Sequence, residues 1–378
     1  MRISSRSAVD SFIVMDVMES ARAEEAKGAD IIHMEVGQPA TPAPARARQA
    51  LAHAMEQGPL GYTVALGLPE LRKRVARMYR EKHGAEVAAE RVVITSGSSA
   101  GFILSFLALF DAGQRVGIAD PGYPSYRNIL KALNLTPQRI EGTLANRYQP
   151  QPSDVVGLDG LLVASPANPT GSMLDRAALA SLAAACQTAG VNLISDEIYH
   201  GVTYGTPAVS ALEVTDDVIV INSFSKYYSM TGWRIGWMVV PEDMVRVMER
   251  LSQNLFICPS HASQIAALAA MDAEEELQAN LAVYAANRAL LMNALPDIGF
   301  QDIAPPDGAF YIYGSIDRWS ADARAFTSAM LKEAGVAATP GLDFDPVRGH
   351  RTIRFSYAGS TARMEEGVRR LTTWCASL

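Results

Sequence analysis

Cysteine is scarce. Cys186, Cys258 and Cys375 are the only three in 378 residues, and no two are close in sequence. An odd, scattered set suggests neither a disulfide framework nor a zinc site. Cys258 reads as a small buried hydrophobe rather than a reactive thiol. Blocks of lysine or arginine are missing too, and the net charge is −7. An acidic chain without a basic patch argues against nucleic acid as a main partner, although a single arginine can still bind a small anion. Long apolar runs are absent. The longest, Gly101 to Phe110, is about half a membrane span. Met1 to Ser5 lacks the apolar run of a signal peptide. The expectation is a cytoplasmic protein without membrane contact. There is no internal repeat, low-complexity tract or long flexible linker.

What is present is an ordinary globular balance, 49% hydrophobic and 19% charged. The length exceeds one small core and predicts two domains. Apolar positions at helical spacing (Phe12, Val14, Met15, Met18) predict a helix over 10–27, stopped by Gly28. Ile31 to Val36 reads as a short strand ending at Gly37, and 38–45 as a Pro/Ala-rich crossing segment. Helices are expected over 46–57 and 69–82.

A recurring unit follows, in which an aliphatic run ends in a polar loop and a helix-like segment usually comes next. The runs are Arg91 to Thr95, Arg115 to Ala119, Gly160 to Ala164, Val191 to Ser195 and Val218 to Asn222, with Arg234 to Val240 as one more strand. Several are almost entirely apolar, as strands are when helices cover both sheet faces. The alternation predicts an α/β domain with a mostly parallel sheet. Residues 243–295 read as helical. The stretch from about 296 to 378 mixes strands (Ala309 to Tyr313, Arg351 to Tyr357) with helices, a smaller α+β part.

In a parallel α/β sheet, ligands bind beyond the carboxyl ends of the strands. The polar residues of this chain cluster there: Ser98 and Ser99, Tyr123, Asn168, Asp196 and Tyr199, and Ser223, Ser225 and Lys226. The small-residue turn Ser96 to Gly101 exposes backbone N–H groups at a positive helix end, which suits a phosphate. It serves equally as a plain tight turn with a serine cap. The same residues, Gly97-Ser98-Ser99-Ala100-Gly101, also fit the nucleophile elbow of serine hydrolases, with Ser99 as nucleophile. That fold needs a histidine after its last strand, and the late candidate His350 comes before the strand at 351–357.

Ser223-Phe224-Ser225-Lys226, followed by Arg234-Ile235-Gly236, is the most specific segment. A charged lysine is costly to bury at a strand end, and becomes tolerable when its amine forms a Schiff base with a carbonyl. Arg234 adds a fixed cation for a phosphate. Otherwise Lys226 is a surface lysine in a loop. The segment closely resembles the cofactor-attachment signature of class I/II aminotransferases, which depend on pyridoxal 5′-phosphate. Other landmarks of that family occur in order along nearly the whole chain: Val36-Gly37-Gln38-Pro39, Gly61-Tyr62, Pro121-Gly122-Tyr123-Pro124, Asn168-Pro169-Thr170-Gly171, Asp196-Glu197-Ile198-Tyr199 and Arg354.

The resemblance implies fold type I, with a large domain at 46–285 and a small one formed by 1–45 with 286–378. It implies that Lys226 holds the cofactor and later moves the α-proton, and that Asp196 pairs with the pyridine nitrogen. Tyr199 and Asn168 would bond the ring's 3-oxygen, and Tyr123 would stack on the ring. Ser98, Ser99, Ser223, Ser225 and Arg234 would hold the phosphate. Tyr62 would reach that phosphate from a second subunit, in a homodimer with shared sites. Arg354 and Gly37 would receive the substrate carboxylate, with Asn168 also at the substrate site. Read without the family, Asp196 is a helix cap, Tyr199 and Tyr123 are packing aromatics, Asn168 is a turn residue and Arg354 a structural ion-pair partner. The implied reaction is a ping-pong transamination between an L-amino acid and a 2-oxo acid. A C–S lyase or similar reaction on the same fold is the alternative, and the Ser99 hydrolase a remote one. A PLP-sensing transcriptional regulator is disfavoured by the short stretch before Val36 and by the acidic charge. No second arginine for a dicarboxylate side chain stands out; Phe12-Ile13 and Phe256 to His261 are the candidates for that side-chain pocket.

Overall fold

A computed structural model describes residues 1–378. It opens with helix α1 (Ile13–Glu25), strand β1 (Ile32–His33), and helices α2 (Ala45–Gln57) and α3 (Pro69–His83). The alternating part runs β2 (Val92–Thr95), α4 (Gly97–Leu109), β3 (Arg115–Asp120), α5 (Pro124–Ala132), β4 (Thr136–Glu141), β5 (Gly160–Ala164), α6 (Arg176–Ala189), β6 (Asn192–Asp196), β7 (Ile219–Ser223) and β8 (Gly236–Val239). Helices α7 (Val245–Leu255), α8 (His261–Ala270) and α9 (Glu274–Ile298) follow. The last part holds β9 (Tyr311–Ser315), α10 (Ala323–Ala329), β10 (Val336–Ala337), β11 (Thr339–Pro340), β12 (Thr352–Ser356) and α11 (Thr361–Cys375).

Strands β2 to β8 form one seven-stranded sheet in the order β2-β8-β7-β6-β5-β3-β4. Only β8 runs antiparallel to its neighbours; the other pairs are parallel. The apolar strands have a physical reason: β2, β7 and β8 are buried at every position, because helices pack on both faces. One face carries a core with Tyr79, Trp237 and Phe224, the other a core with Phe102, Phe106 and Met238. A third core, with Phe310, Tyr311, Phe355 and Trp374, lies in the C-terminal part and includes Ile32 and Met34 from the chain's beginning. Strand β1 pairs with β10, far along the chain.

Several expectations change. The strand expected at 31–36 shrinks to Ile32–His33, because the chain must leave β1 and pass Glu35 to Gln38 along the cavity described below. The strand expected from Arg234 starts at Gly236, since Arg234 takes a left-handed conformation (φ 50°). The helical stretch at 243–295 is three helices, interrupted at Phe256 to Ser260 and at Met271 to Ala273. Strand β4 was not expected: its residues are largely polar and partly exposed because it is the sheet's edge. Helix α9 runs unbroken past residue 285. Cys258 is not buried but half-exposed.

Ile221 sits fully buried at the middle of β7, against the helix at Gly101. Ile221→Ala should cost about 2–5 kcal/mol of stability, read as a lower denaturation midpoint with an unchanged slope. A loss under about 0.5 kcal/mol, the range of surface substitutions, would show that this core relaxes around the void.

Candidate active site

The parallel strands end on one edge, and the loops leaving that edge meet the C-terminal part around a cavity of about 230 Å³. Ser98 and Ser99 come from the first turn of α4, Tyr123 from the start of α5, and Asn168 from the loop after β5. Asp196 ends β6 and Tyr199 follows it, and Ser225 and Lys226 follow β7. Arg234 arrives from the turn before β8. The C-terminal part adds Tyr311 on β9 and Arg354 on β12, and the N-terminal arm adds Phe12, Val14, Met15 and Val36 to Gln38. Sequence positions separated by hundreds of residues therefore share one chamber.

Two glycines have steric reasons. At Gly37 a Cβ would overlap the Tyr311 hydroxyl. Gly97 has φ +75° and its Cβ would strike the Arg234 guanidinium, so glycine lets the arginine lie against the first turn of α4. Arg234 is anchored by a bond from Nη1 to the Thr231 carbonyl (3.0 Å).

Lys226 donates from Nζ to the Gly37 carbonyl at 2.6 Å. Burial, then the charges of Arg354 and Arg234, push its amine down to about 7. Asp196 is pushed up to about 6 by burial, against the lowering effect of hydrogen bonds from Tyr126 and the Ile198 N–H. Tyr126 donates its hydroxyl to Asp196 Oδ2, and Ile198 N donates to Oδ1 at 3.0 Å. Burial drives the hydroxyls of Tyr123, Tyr126, Tyr199 and Tyr311 upward. Lys226 and Asp196 are thus the cavity groups whose ionisation burial brings toward neutrality.

Arg354 is held on every side. Its Nη1 donates to Asn168 Oδ1 (2.9 Å), and its Nη2 to the Glu35 carbonyl and to Thr339 (3.3 Å). The rings of Tyr311 and Phe344 sit 4.3 and 4.6 Å from its guanidinium carbon, and its Nε is buried without a partner. Arg351 instead faces outward and pairs with Asp317 at 3.0 Å.

The remaining candidates lie elsewhere. Ser223 does not line the cavity: its hydroxyl is buried against Ser225 (2.9 Å) and the Ile235 carbonyl (3.1 Å). Tyr62 is 88% exposed, away from the cavity of its own chain, in a shallow surface recess with Cys258 and His261. Phe12 lines the cavity, but Ile13 and Phe256 to His261 do not. Tyr126 and Tyr311 were missed. The sequence signal for Tyr126 was its position one helical turn after Tyr123. Tyr311 had only an apolar strand around it.

A model described as aminotransferase class I and II matches residues 29–371. The chain belongs to that family. This aminotransferase is 46% identical over 384 residues to the valine–pyruvate aminotransferase of Mycobacterium tuberculosis, spanning 100% of this chain and 99% of that one. Its structure matches that of an aminotransferase from Mycobacterium tuberculosis with a TM-score of 0.98 at 45% identity, over 100% of both chains. It also matches the aspartate aminotransferase of Thermus thermophilus with maleate, at a TM-score of 0.92 and 28% identity, over 99% of this chain and 100% of that one. The hydrolase reading of Ser99 falls with this assignment. No histidine lines the cavity, and His350 is a partly exposed residue bonded to the Val347 carbonyl.

Behind Asp196 the aminotransferase buries a second acid. Glu197 accepts from Ser195 (3.2 Å), Ser210 (2.9 Å) and the Ala211 N–H (2.8 Å). Its Oε2 lies 3.4 Å from Nδ1 of His200, whose Nε2 donates to the Ser165 carbonyl at 3.0 Å. Burial moves Glu197 up from 4.5 to about 7 and His200 down from 6.5 to about 4. The pair is therefore not an ion pair at neutral pH.

The two shifts act on stability with opposite signs. Between about 4.5 and 7 the folded chain keeps a proton on Glu197 that the unfolded chain releases, so stability falls as pH rises. Between about 4 and 6.5 the unfolded chain binds a proton that folded His200 refuses, so stability rises with pH. Glu197→Gln leaves only the rising limb. The variant should gain on the wild type between about pH 5 and 7 in urea denaturation; a constant gap across that range would contradict a buried, protonated Glu197. Tyr126→Phe removes a hydrogen bond to a carboxylate, about 1.5–3 kcal/mol, and should lower kcat/KM about tenfold or more. Unchanged turnover would show that Asp196 does not depend on that hydroxyl.

Proposed function

We propose that this aminotransferase uses pyridoxal 5′-phosphate to move the amino group of a neutral L-amino acid to a 2-oxo acid. The observation that carries this reading is Lys226: an amine lowered to about 7 in a chamber that also holds Asp196 and Arg354. The donor set fits the cofactor. The N-terminus of α4 with Ser98 and Ser99, together with Ser225 and Arg234, would hold the phosphate. Tyr123 offers an aromatic face to the ring, Asp196 a partner for its nitrogen, and Asn168 and Tyr199 polar groups for its oxygen. Bound there, the cofactor supplies the electron sink that makes an amino acid's α-proton removable.

The chain's own residues do the rest. Lys226, partly unprotonated at neutral pH, is the group able to attack an aldehyde and then act as base. Asp196 presents a carboxylate whose Oδ1 and Oδ2 are fixed by Ile198 and Tyr126. Held in that orientation, Asp196 would pair with the cofactor's ring nitrogen and favour its protonated form. Arg354, with Nε unpartnered, receives the α-carboxylate. The large part, 46–285, would then carry the cofactor, and 1–45 with 286–378 the carboxylate site.

The choice of a neutral donor rests on the apolar part of the cavity lining. Phe12, Val14, Met15, Val36 and Ile198 are apolar, and the cavity's cations, Lys226, Arg234 and Arg354, already have roles. A side-chain carboxylate would meet no further positive group from this chain. The similarity to a valine–pyruvate aminotransferase supports the same choice. Tyr62, Val64 and Ile257 are large apolar side chains left exposed, and Tyr62 lies in one surface recess with Cys258 and His261. We read this recess as the seat of a second copy, whose Tyr62 would reach this chain's phosphate site. No helix is long and apolar enough to cross a membrane.

The test is the absorption spectrum of the protein loaded with pyridoxal phosphate, followed as single amino acids are added without a keto acid. Alanine, valine or leucine should bleach the long-wavelength band and leave the aminated cofactor. Lys226→Ala should fold normally and lose turnover. Elimination of thiol or sulfide from a sulfur amino acid, with release of ammonia and a 2-oxo acid, would favour a lyase instead, and a protein that takes up no pyridoxal phosphate would remove the reading altogether.

A further inference from the structure

Helix α1 has no cap of its own. The residue at its cap position is Phe12, which makes no capping bond, and a helix start leaves N–H groups needing acceptors. The acceptor comes from the far end of the chain. Asp343, fully buried, takes the Ile13 N–H on Oδ1 at 3.0 Å and the Val14 N–H on Oδ2 at 3.3 Å. A carboxylate on the first turn also meets the positive end of the helix. Asp343 is itself tied down, because Arg127 of α5 donates to its carbonyl at 2.8 Å.

The neighbouring residue reaches the other half of the site. Phe344 places its ring 4.6 Å from the Arg354 guanidinium carbon, and its carbonyl accepts the Gly122 N–H at 3.1 Å, next to Tyr123. Phe12 closes the loop by meeting the Tyr123 ring edge-on, at 5.9 Å between centroids. Two consecutive residues thus touch the arm that carries Phe12, Val14 and Met15, the arginine for the carboxylate, and the strand-end loop bearing Tyr123.

We propose that Asp343 is a positioning residue for substrate recognition: by capping α1 it holds the apolar wall that meets the substrate side chain in register with the Arg354 that meets its carboxylate. This rests on the reading of the cavity as the amino-acid site. A released arm loses the wall but leaves Lys226 and Asp196 in place, so the defect falls on KM and on donor ranking, not on the saturated rate.

The experiment compares wild type with Asp343→Asn, which keeps the size and loses one acceptor, as holoenzymes on alanine, valine and leucine. KM for the best donor should rise about tenfold, with kcat within about twofold, and the spread of kcat/KM across the three donors should narrow. Hydrogen exchange at residues 13–18 should quicken in the same variant. Ile13→Pro provides a second route if Asp343→Asn does not fold. It deletes the N–H bonded to Oδ1 at the first helical position, where proline is tolerated, and should give the same KM effect. Faster exchange at the arm with unchanged KM and donor ranking overturns the proposal, as does unchanged exchange. The wild-type donor series tests the pocket reading by itself. The variant is scored as a ratio to wild type on whichever donor turns over, so the two ideas fail separately.

Discussion

An amine taken out of water loses its proton more easily, and that constraint organises this molecule. Lys226 stands at a strand end beside two guanidinium groups, and burial and their charges together bring it near neutrality. The cavity must stay closed for that to hold. Closure requires the C-terminal part to cover the sheet edge and the arm to fill the remaining side. The third core, with its Ile32 and Met34 from the chain's start, is what brings those pieces together.

The fold was legible wherever one physical cause dominated. Strands β2, β5 and β7 showed as apolar runs because helices bury both their faces. Edge strand β4 escaped because exposure on an edge removes that pattern. In the helical stretch after residue 243 the break at 256–260 is marked only by Pro259 and the Ser260 cap, and the one at 271–273 carries neither glycine nor proline. The direction of β8 was not readable either. An antiparallel strand inside a parallel sheet has the same composition as its neighbours.

The site was legible where a residue type is expensive to place without a function. A lysine ending an apolar strand and an arginine inside a strand both drew notice, and both line the cavity. Ser223 drew notice from the same motif, yet its hydroxyl turns inward to the Ile235 carbonyl. The spacing did not separate it from Ser225. Tyr126, Tyr311 and Asp343 act through contacts 70, 112 and 330 positions away in sequence. Nothing local marks such a residue. Asp343 in particular looks like a turn aspartate from sequence, because the helix it caps begins at the other end of the chain.

Asp196 and Glu197 show how neighbours with the same burial acquire different tasks. Both are carboxylates, both are buried and both are pushed up, to about 6 and about 7. Successive residues at a strand end point to opposite sides. Asp196 turns to the cavity and receives a hydroxyl and an N–H that favour its charged form. Glu197 turns to the far side, toward His200, whose Nδ1 is buried without a hydrogen-bond partner. Glu197 Oε2 and His200 Nδ1 lie 3.4 Å apart, and burial raises the acid and lowers the imidazole, so each favours its neutral form. A charged Glu197 would raise Asp196 further. Burial, acting with opposite signs on an acid and an imidazole, therefore keeps the charge beside Asp196 low.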